Sequence, residues 1–433
     1  MMQRGRKAMA KLFCGLFLLV ACHRSAPISI VRIGSIPTSA DALALVSVST
    51  AASIELWRLH SSGAVVWRQT VACDLSGELS VDEEIATVRC DVSVGGKSVE
   101  RLVAFSSVDG QKLWSRDAQI GPDEAGSRTH RVLADGVLVT GYMRATVLDR
   151  RTGALRLTYP IDSLERATVT GHWAVFVDGV KVSAIDLRAG TAVSMEAKGT
   201  GCLQGEQYVE VHDGVVSTRN LDALETIVKS ELLALKGVEV MSALSCGVYG
   251  DDRVFEVRVS DAGKLGVHVV RVDKTMKVLA DLDLGLNQPI TTSLSLEFPD
   301  AVKFSGPVPR FNLVSVSTAA GTQLLLVDLE KSLSSPLAIP SADIENVFRK
   351  SDRWFVWGRG ILRSFDAKTG ASLGAVRVRG KQIVDLTPDS VGVNQFWVGG
   401  VNETEPSSAA LGVLGHDLHV VHQQGMALEP ITN

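Results

Sequence analysis

The chain has 433 residues, of which 45% are hydrophobic and 21% are charged, and its formal net charge is −4. No run of Lys and Arg is present, which argues against a nucleic-acid-binding protein. The length would allow two domains, but no Ser/Gly-rich or charged linker divides the chain, and we expect one large domain.

The N-terminus has the pattern of a bacterial lipoprotein signal. Four basic residues within the first 11 precede a short apolar stretch from Leu12 to Val20, which Leu19-Val20-Ala21-Cys22 closes as a lipobox. The stretch is too short for a comfortable membrane span. We therefore expect residues 1–21 to be a signal peptide that is cleaved before Cys22. The alternative is a plain secretory signal whose cleavage region contains a Cys.

Lipidation of Cys22 would anchor the protein in the cell envelope. The thiol would receive a diacylglyceryl group and the freed amine a fatty acid such as palmitate, and several acyl chains hold a soluble domain stably at a bilayer. His23, rather than Asp, follows Cys22, which favours the outer membrane, on its periplasmic or surface side, over the inner membrane. Loss of the four basic signal residues would lower the formal net charge from −4 to −8.

A short hairpin recurs along the rest of the chain. Thr146 to Leu155 read as an apolar strand, a turn and a second strand, and related segments follow around residues 184–190 and 364–370. Asp at the strand end can accept hydrogen bonds from N–H groups in the turn, and Gly supplies the positive φ that reverses the chain. The turn residues that we single out on this basis are Asp149, Gly153, Asp186, Gly190, Asp366 and Gly370.

The spacing of these hairpins predicts an all-β fold, a β-propeller of four-stranded blades. Nine turn candidates, around residues 63, 110, 153, 190, 224, 277, 332, 370 and 419, follow one another in steps of 34 to 55 residues, and one blade takes roughly 40–50. We expect eight blades, with one blade contributing two candidates, and seven as the alternative. Residues 41–433 would form the propeller. Residues 22–40 would be a tether with a possible ring-closing strand, residues 28–33, beside the strands near Leu418 to His422.

Two tryptophans link this repeat to a known family. Trp67 and Trp114 each lie four residues after the turn glycines Gly63 and Gly110. This pattern resembles the pyrroloquinoline-quinone-like propeller repeat, in which the Trp docks onto the neighbouring blade. Later copies depart from the pattern, with other residues at the Trp position: Leu157, Ser194, Val228 and Gly374.

The cysteines fit an oxidising compartment. After cleavage and lipidation four remain, Cys73, Cys90, Cys202 and Cys246, which allow three pairings. We favour the local pairs, Cys73 with Cys90 and Cys202 with Cys246.

A search for catalytic, cofactor and metal sites predicts none. The segment Gly199 to Gly205 imitates a dinucleotide loop, but no helix follows it and the third Gly is misplaced. His416, His419 and His422 are the best metal candidates. On one strand, however, His416 and His422 would face one side and His419 the other.

Three functional hypotheses remain. The favoured one is a monomeric, non-enzymatic scaffold that binds protein partners in envelope assembly and carries no cofactor. Such a protein is similar to the propeller lipoproteins of the outer-membrane barrel-assembly machinery. The second is a surface propeller that binds a ligand or glycan. The third is a quinone-dependent dehydrogenase, whose Ca²⁺ ligands, catalytic Asp and aromatic floor we do not find in the sequence.

Overall fold

The computed structural model describes residues 28–36, 39, 41–48, 53–73, 75–119, 129–141, 144–161, 168–177, 181–198, 201–284, 288–289, 296–297, 310–318, 321–337, 339, 344, 346–350, 352–379, 383–387, 395–401, 409–415, 417–418, 420–424 and 426–431. All regular elements within these residues are β-strands. The described part of the chain therefore contains no helix that could span a bilayer. The predicted signal peptide, Cys22, His416 and His419 lie outside the described residues.

The strands form antiparallel sets of four that follow one another along the chain, and we call each set a blade. Blade 1 comprises β1 (Ile28–Ser35), β2 (Ala42–Val48), β3 (Ser53–Leu59) and β4 (Val65–Val71). Blade 2 comprises β5 (Leu75–Val81), β6 (Ile85–Val94), β7 (Lys97–Ser106) and β8 (Lys112–Gln119). Blade 3 comprises β9 (Thr129–Leu133), β10 (Gly136–Gly141), β11 (Arg144–Leu148) and β12 (Leu155–Pro160).

The middle of the chain continues the same order. Blade 4 comprises β13 (Thr168–Thr170), β14 (Trp173–Val177), β15 (Lys181–Asp186) and β16 (Thr191–Glu196). Blade 5 comprises β17 (Gly201–Gln204), β18 (Gln207–His212), β19 (Val215–Asn220) and β20 (Ile227–Leu232). Blade 6 comprises β21 (Glu239–Tyr249), β22 (Asp252–Asp261), β23 (Lys264–Val272) and β24 (Val278–Asp283), and the short β25 (Gln288–Pro289) also pairs with β23.

Three blades and one extra strand complete the described fold. Blade 7 comprises β26 (Leu296–Glu297), β27 (Phe311–Thr318), β28 (Gly321–Asp328) and β29 (Leu333–Pro336). Blade 8 comprises β30 (Asn346–Lys350), β31 (Arg353–Gly358), β32 (Ile361–Asp366) and β33 (Ser372–Arg379). Blade 9 comprises β34 (Ile383–Thr387), β35 (Gln395–Val401), β36 (Ala409–Gly415) and β37 (Val420–Gln424), and β38 (Ala427–Ile431) follows it.

The propeller fold is therefore confirmed, but the described strands form nine blades rather than the predicted eight. Each of the nine turn candidates lies between the third and fourth strands of its own blade, so no two of them belong to one blade. The close spacing around Gly190 and Leu224 arises because blades 4 and 5 are built from strands of only three to six residues.

The apolar residues follow the layering of the blades. Central strands are covered on both faces by neighbouring blades and read as nearly continuous buried runs, such as Trp173–Val177 and Arg353–Gly358. Outer strands are largely exposed, as β4 and β20 are. Separate apolar clusters fill the seams between consecutive blades, and one of them joins blade 1 to blade 9.

Ring closure differs from the expectation. Residues 28–35 are the first strand of blade 1, paired along their length with β2, so the described propeller begins at Ile28 rather than at residue 41. Among the described residues the strand does not pair with Leu418 or with β37, and a single pair, Ser29 with Val401, links it to β35. Instead, blades 1 and 9 pack face to face through apolar residues that include Ile30, Ala44 and Val413.

Candidate functional site

The turns between the third and fourth strands share one construction. In blade 3, Asp149 Oδ1 accepts hydrogen bonds from the N–H groups of Arg151 (3.0 Å) and Thr152 (2.9 Å) and from the Thr152 hydroxyl (2.9 Å). Asp186 and Asp366 accept the equivalent N–H bonds in blades 4 and 8. These carboxylates satisfy turn donors that would otherwise need water.

A positive φ ends most of these turns. Gly153, Gly190 and Gly370 have φ values of 67°, 66° and 70°. In blades 6, 7 and 9 the left-handed position is taken by non-glycine residues, Met276, Ser332 and Leu418. Non-glycine residues there carry a steric cost, which is why the repeat is harder to recognise in the second half of the chain.

The tryptophans dock on the glycine of the next blade. A Cβ at Gly153 would lie 2.7 Å from the Trp114 ring, and one at Gly110 would lie 2.8 Å from the Trp67 ring. Trp67 Nε1 donates to Val108 O at 3.1 Å, and Trp114 Nε1 donates to Arg150 O at 2.9 Å. Each ring thus needs a glycine beneath it and joins two blades.

Two other side chains perform this docking where the tryptophan is absent. Arg156 lies beside the turn of blade 4 and donates through Nη1 to Leu187 O at 3.2 Å. His422 is, like Trp67 and Trp114, the third residue of its outer strand, and its ring lies 2.2 Å from where a Cβ of Gly63 would be. His422 therefore docks blade 9 on blade 1. The sequence search missed both roles because it looked only for Trp.

A β-bulge beside the turn displays one residue at the outer edge of seven blades. The bulge lies between the third and fourth strands and leaves one outer-strand residue unpaired. In six of these blades the unpaired residue is aliphatic and 39–56% exposed. We call these the bulge residues: Val66, Leu113, Val228, Leu279, Leu373 and Val421. In blade 3 Arg156 occupies the position.

A charged cleft of about 390 Å³ opens among the turns of blades 2, 3 and 4. Arg150 spans it, with its Nη2 2.7 Å from Asp82 and 3.3 Å from Glu84 in blade 2. Arg188 of blade 4 lies 3.0 Å from Asp135 of blade 3. Arg151 also lines the cleft and is exposed. The turns of three blades are therefore tied together by a surface ion-pair network.

Two carboxylates in this part of the propeller, Asp149 and Glu78, have lowered pKa values. Hydrogen bonds from Arg156 and then from Thr152 lower the pKa of Asp149 far below its usual value. In the seam of blades 2 and 3, burial alone would raise the pKa of Glu78. The hydrogen bond with His130 and the charge of Arg89 outweigh that effect, and the pKa of Glu78 is lowered.

The cysteines partly follow the expectation. Cys73 and Cys90 form a disulfide with a Cα–Cα distance of 5.8 Å, which links the end of β4 to β6 across the seam of blades 1 and 2. Cys246 on β21 is also disulfide-bonded. The pairing of Cys246 with Cys202, which lies on β17, stays a prediction.

The described residues show no cluster of His, Cys, Asp or Glu that could hold a metal ion. His422, one of the three histidines considered, is used for docking instead. In the glycine-rich segment 199–205, residues 201–204 form β17, and Gly205 lies in the turn that follows.

Comparisons with known proteins agree with this architecture. A family model described as outer membrane protein assembly factor BamB matches residues 24–223, which is just under half of the chain. A search of curated proteins gave no match. The crystal structure of a eukaryotic initiation factor superposes with a TM-score of 0.50 at 11% identity, over 94% of this chain and 97% of that one.

Two bacterial structures align less closely. Apo AztD from Citrobacter koseri gives a TM-score of 0.39 at 13% identity, over 82% of this chain and 96% of its own. A protein from Listeria monocytogenes gives 0.38 at 10% identity, over 81% and 94%. The docked tryptophans, the aspartate turns and these comparisons lead to one conclusion: the chain folds as a β-propeller, and its residues 24–223 are similar to the BamB family.

Proposed function

We propose that the protein is a lipid-anchored, non-enzymatic scaffold that binds protein partners in the cell envelope, at the outer membrane. The observation that carries this proposal is the match of residues 24–223, which hold blades 1 to 4 and three strands of blade 5, to the family model of an outer-membrane assembly factor. The lipobox that ends at Cys22 supports the anchor, and its lipid would hold the propeller close to membrane-bound partners.

The surface supports binding through two kinds of contact. The bulge residues offer exposed aliphatic side chains on the outer strands of six blades, and their strands hold them in place. The charged cleft includes Arg156, at the bulge position of blade 3, and also offers Arg151 and Arg188. Protein interfaces typically combine apolar side chains that bury on binding with polar and charged residues around them.

Crosslinking from native membranes tests this proposal. The lipidated wild-type protein should capture specific partners, and the double variant Val66→Ser/Leu113→Ser should capture less of them. Val94→Ser is the matched control, because Val94 is 50% exposed but lies at the opposite end of blade 2. Equal capture by both variants would exclude this part of the rim, and no specific partner for the wild type would overturn the scaffold function.

A second measurement separates the scaffold from the quinone enzyme. Added pyrroloquinoline quinone and Ca²⁺ should leave the melting temperature of a non-enzymatic scaffold unchanged. Binding would be easy to detect, because a ligand at 100 times its Kd stabilises the folded state by about 2.7 kcal/mol. Dye-linked oxidation of alcohols or sugars should be absent. A quinone-dependent rise in melting temperature would favour the dehydrogenase.

A further inference from the structure

The outer strand of blade 8 carries an additional strand from the same chain. β38 pairs antiparallel with β33, with Leu428 opposite Val378 and Glu429 opposite Arg377. Leu428 is buried in the seam of blades 8 and 9, and Glu429 lies 2.8 Å from Arg379. An extended segment with a leucine beside a glutamate thus covers an outer edge of this propeller.

Room for the leucine comes from the neighbouring blade. A Cβ at Gly412 of blade 9 would lie 2.9 Å from Met426 Sδ and 3.1 Å from Leu428 Cδ1. The seam therefore accepts the side chains of the added strand because Gly412 on β36 has no side chain that would occupy the same space.

The seam of blades 1 and 2 lies at an equivalent place and carries no added strand in the described part of the chain. It differs in having Val103 where the other seam has a glycine, so a partner side chain must fit beside the Val103 side chain. The strand pairing beside the turns makes Val71 of β4 the counterpart of Val378 and Val103 of β7 the counterpart of Gly412. A cleft of about 450 Å³ opens at this place, lined by Thr70, Val71, Ala72, Val103, Phe105 and Lys112 among others. Ligand pockets typically have this volume.

Both ends of this cleft are held in place. Trp67 docks on Gly110 at the turn end of the seam, and the Cys73–Cys90 disulfide crosses it at the other end of β4. The two links keep the blades apart at a constant distance, so the cleft exists before a partner arrives. Such preorganisation lowers the entropic cost of binding.

The charges beside the cleft favour an acidic partner. Two basic residues and one acidic residue line it: Arg101, Lys112 and Asp117. Arg101 and Asp117 form a bidentate pair of 2.6 and 2.7 Å, which leaves the exposed Lys112 as the surplus positive charge. β4 is an edge strand of its sheet in the described fold, and its backbone groups can pair with another strand.

We propose that the seam of blades 1 and 2 binds an extended, acidic segment of a partner protein, which adds as a fifth strand to β4 and inserts an aliphatic side chain into the cleft beside Val71. The proposal rests on the scaffold function and specifies one of its binding sites. The partner segment has the chemistry of β38, an aliphatic residue next to a carboxylate.

The probe is a capped, fluorescent hexapeptide with the sequence of residues 426–431, Met-Ala-Leu-Glu-Pro-Ile. It should bind the full protein, in which β38 already covers blade 8, and it should slow hydrogen exchange of the amides of residues 68–71. Ala72→Trp, which fills the cleft from an exposed position, should weaken binding at least tenfold. Lys112→Glu should weaken it about two- to fivefold at low salt, as expected for an exposed ion pair.

Matched controls distinguish binding in the cleft from nonspecific binding of the peptide. Ser230→Trp places the same ring on the exposed outer strand of blade 5 and should leave binding unchanged. A peptide with aspartate in place of the leucine should bind at least tenfold more weakly, because the aliphatic side chain enters the cleft. Equal binding to Ala72→Trp, or no binding and no protection at about 1 mM peptide, would overturn the proposal.

The membrane crosslinking experiment keeps this proposal and the scaffold function apart. Captured partners together with a peptide that does not bind would refute the seam site alone. A lack of captured partners would refute the scaffold function, whatever the peptide does.

Discussion

At the scale of single residues, the contact that repeats is an aromatic ring on a glycine. Trp114 is 7% exposed, packs on Gly153 and donates a hydrogen bond to the next blade. One side chain therefore contributes both to its own blade and to the seam that follows it.

Removal of this ring should destabilise the propeller. Trp114→Ala should lower the free energy of unfolding by about 3–5 kcal/mol, the usual cost of truncating a buried Trp. Leu113→Ala is the neighbouring control and should change it by no more than about 0.5 kcal/mol, because Leu113 is exposed. Chemical denaturation followed by fluorescence measures both, and equal effects would contradict the docking role.

The turn aspartates predict a pH dependence. The pKa of Asp149 is lowered in the folded state by its hydrogen bonds with Arg156 and then with Thr152. Its charge therefore stabilises the fold fully above the unfolded pKa, near 3.8, and this stabilisation is lost as the pH falls through the lower folded pKa. Asp149→Asn keeps the turn geometry but removes the charge. Unfolding curves of the variant and the wild type should differ by a constant amount down to about pH 4 and should begin to converge only below that pH; a difference that stays constant well below pH 4 would contradict this account.

At the scale of elements, the outer hairpin is the unit that the sequence describes best. Its Asp and Gly have backbone roles that few other residues perform, and the spacing of the clear copies predicts the position of all nine hairpins. The count of eight failed because unequal steps suggested that two candidates shared a blade. Docking by Arg156 and His422 was not predictable, since it depends on which blade lies alongside. The pairing of β38 with β33 was likewise not predictable, because the sequence of Ala427–Ile431 indicates a strand but not its partner.

Disulfides are the elements that join neighbouring strands covalently. After denaturation and alkylation, Cys73 and Cys90 should be unmodified, and non-reducing peptide mapping should link them and also Cys202 to Cys246. The double variant Cys73→Ser/Cys90→Ser should lose about 2–4 kcal/mol of stability, the typical contribution of a disulfide. Alkylation of all four cysteines would refute the prediction, and crossed pairing would refute the connectivity.

At the scale of the whole molecule, anchoring and folding should be independent. Cys22→Ala should release the protein from the membrane fraction, while its melting temperature stays within about 1 °C of the wild type, because surface and tail substitutions rarely affect stability. Fractionation after a high-salt wash and a thermal melt measure the two properties. A variant that still sediments with membranes would show that Cys22 is not the main anchor.

The contacts of His422 and β38 have a consequence for biogenesis. His422 belongs to blade 9 and Leu428 to the strand that follows it, and they complete the seam with blade 1 and the seam of blades 8 and 9. A chain that emerges N-terminus first can stack its early blades in succession. The apolar flank of blade 1 around Ile30 and Ala44 nevertheless stays uncovered until blade 9 has been made. During that interval the open arc exposes this apolar flank to other nascent chains, so substitutions that weaken the seam of blades 1 and 9 should lower the yield of folded protein through aggregation.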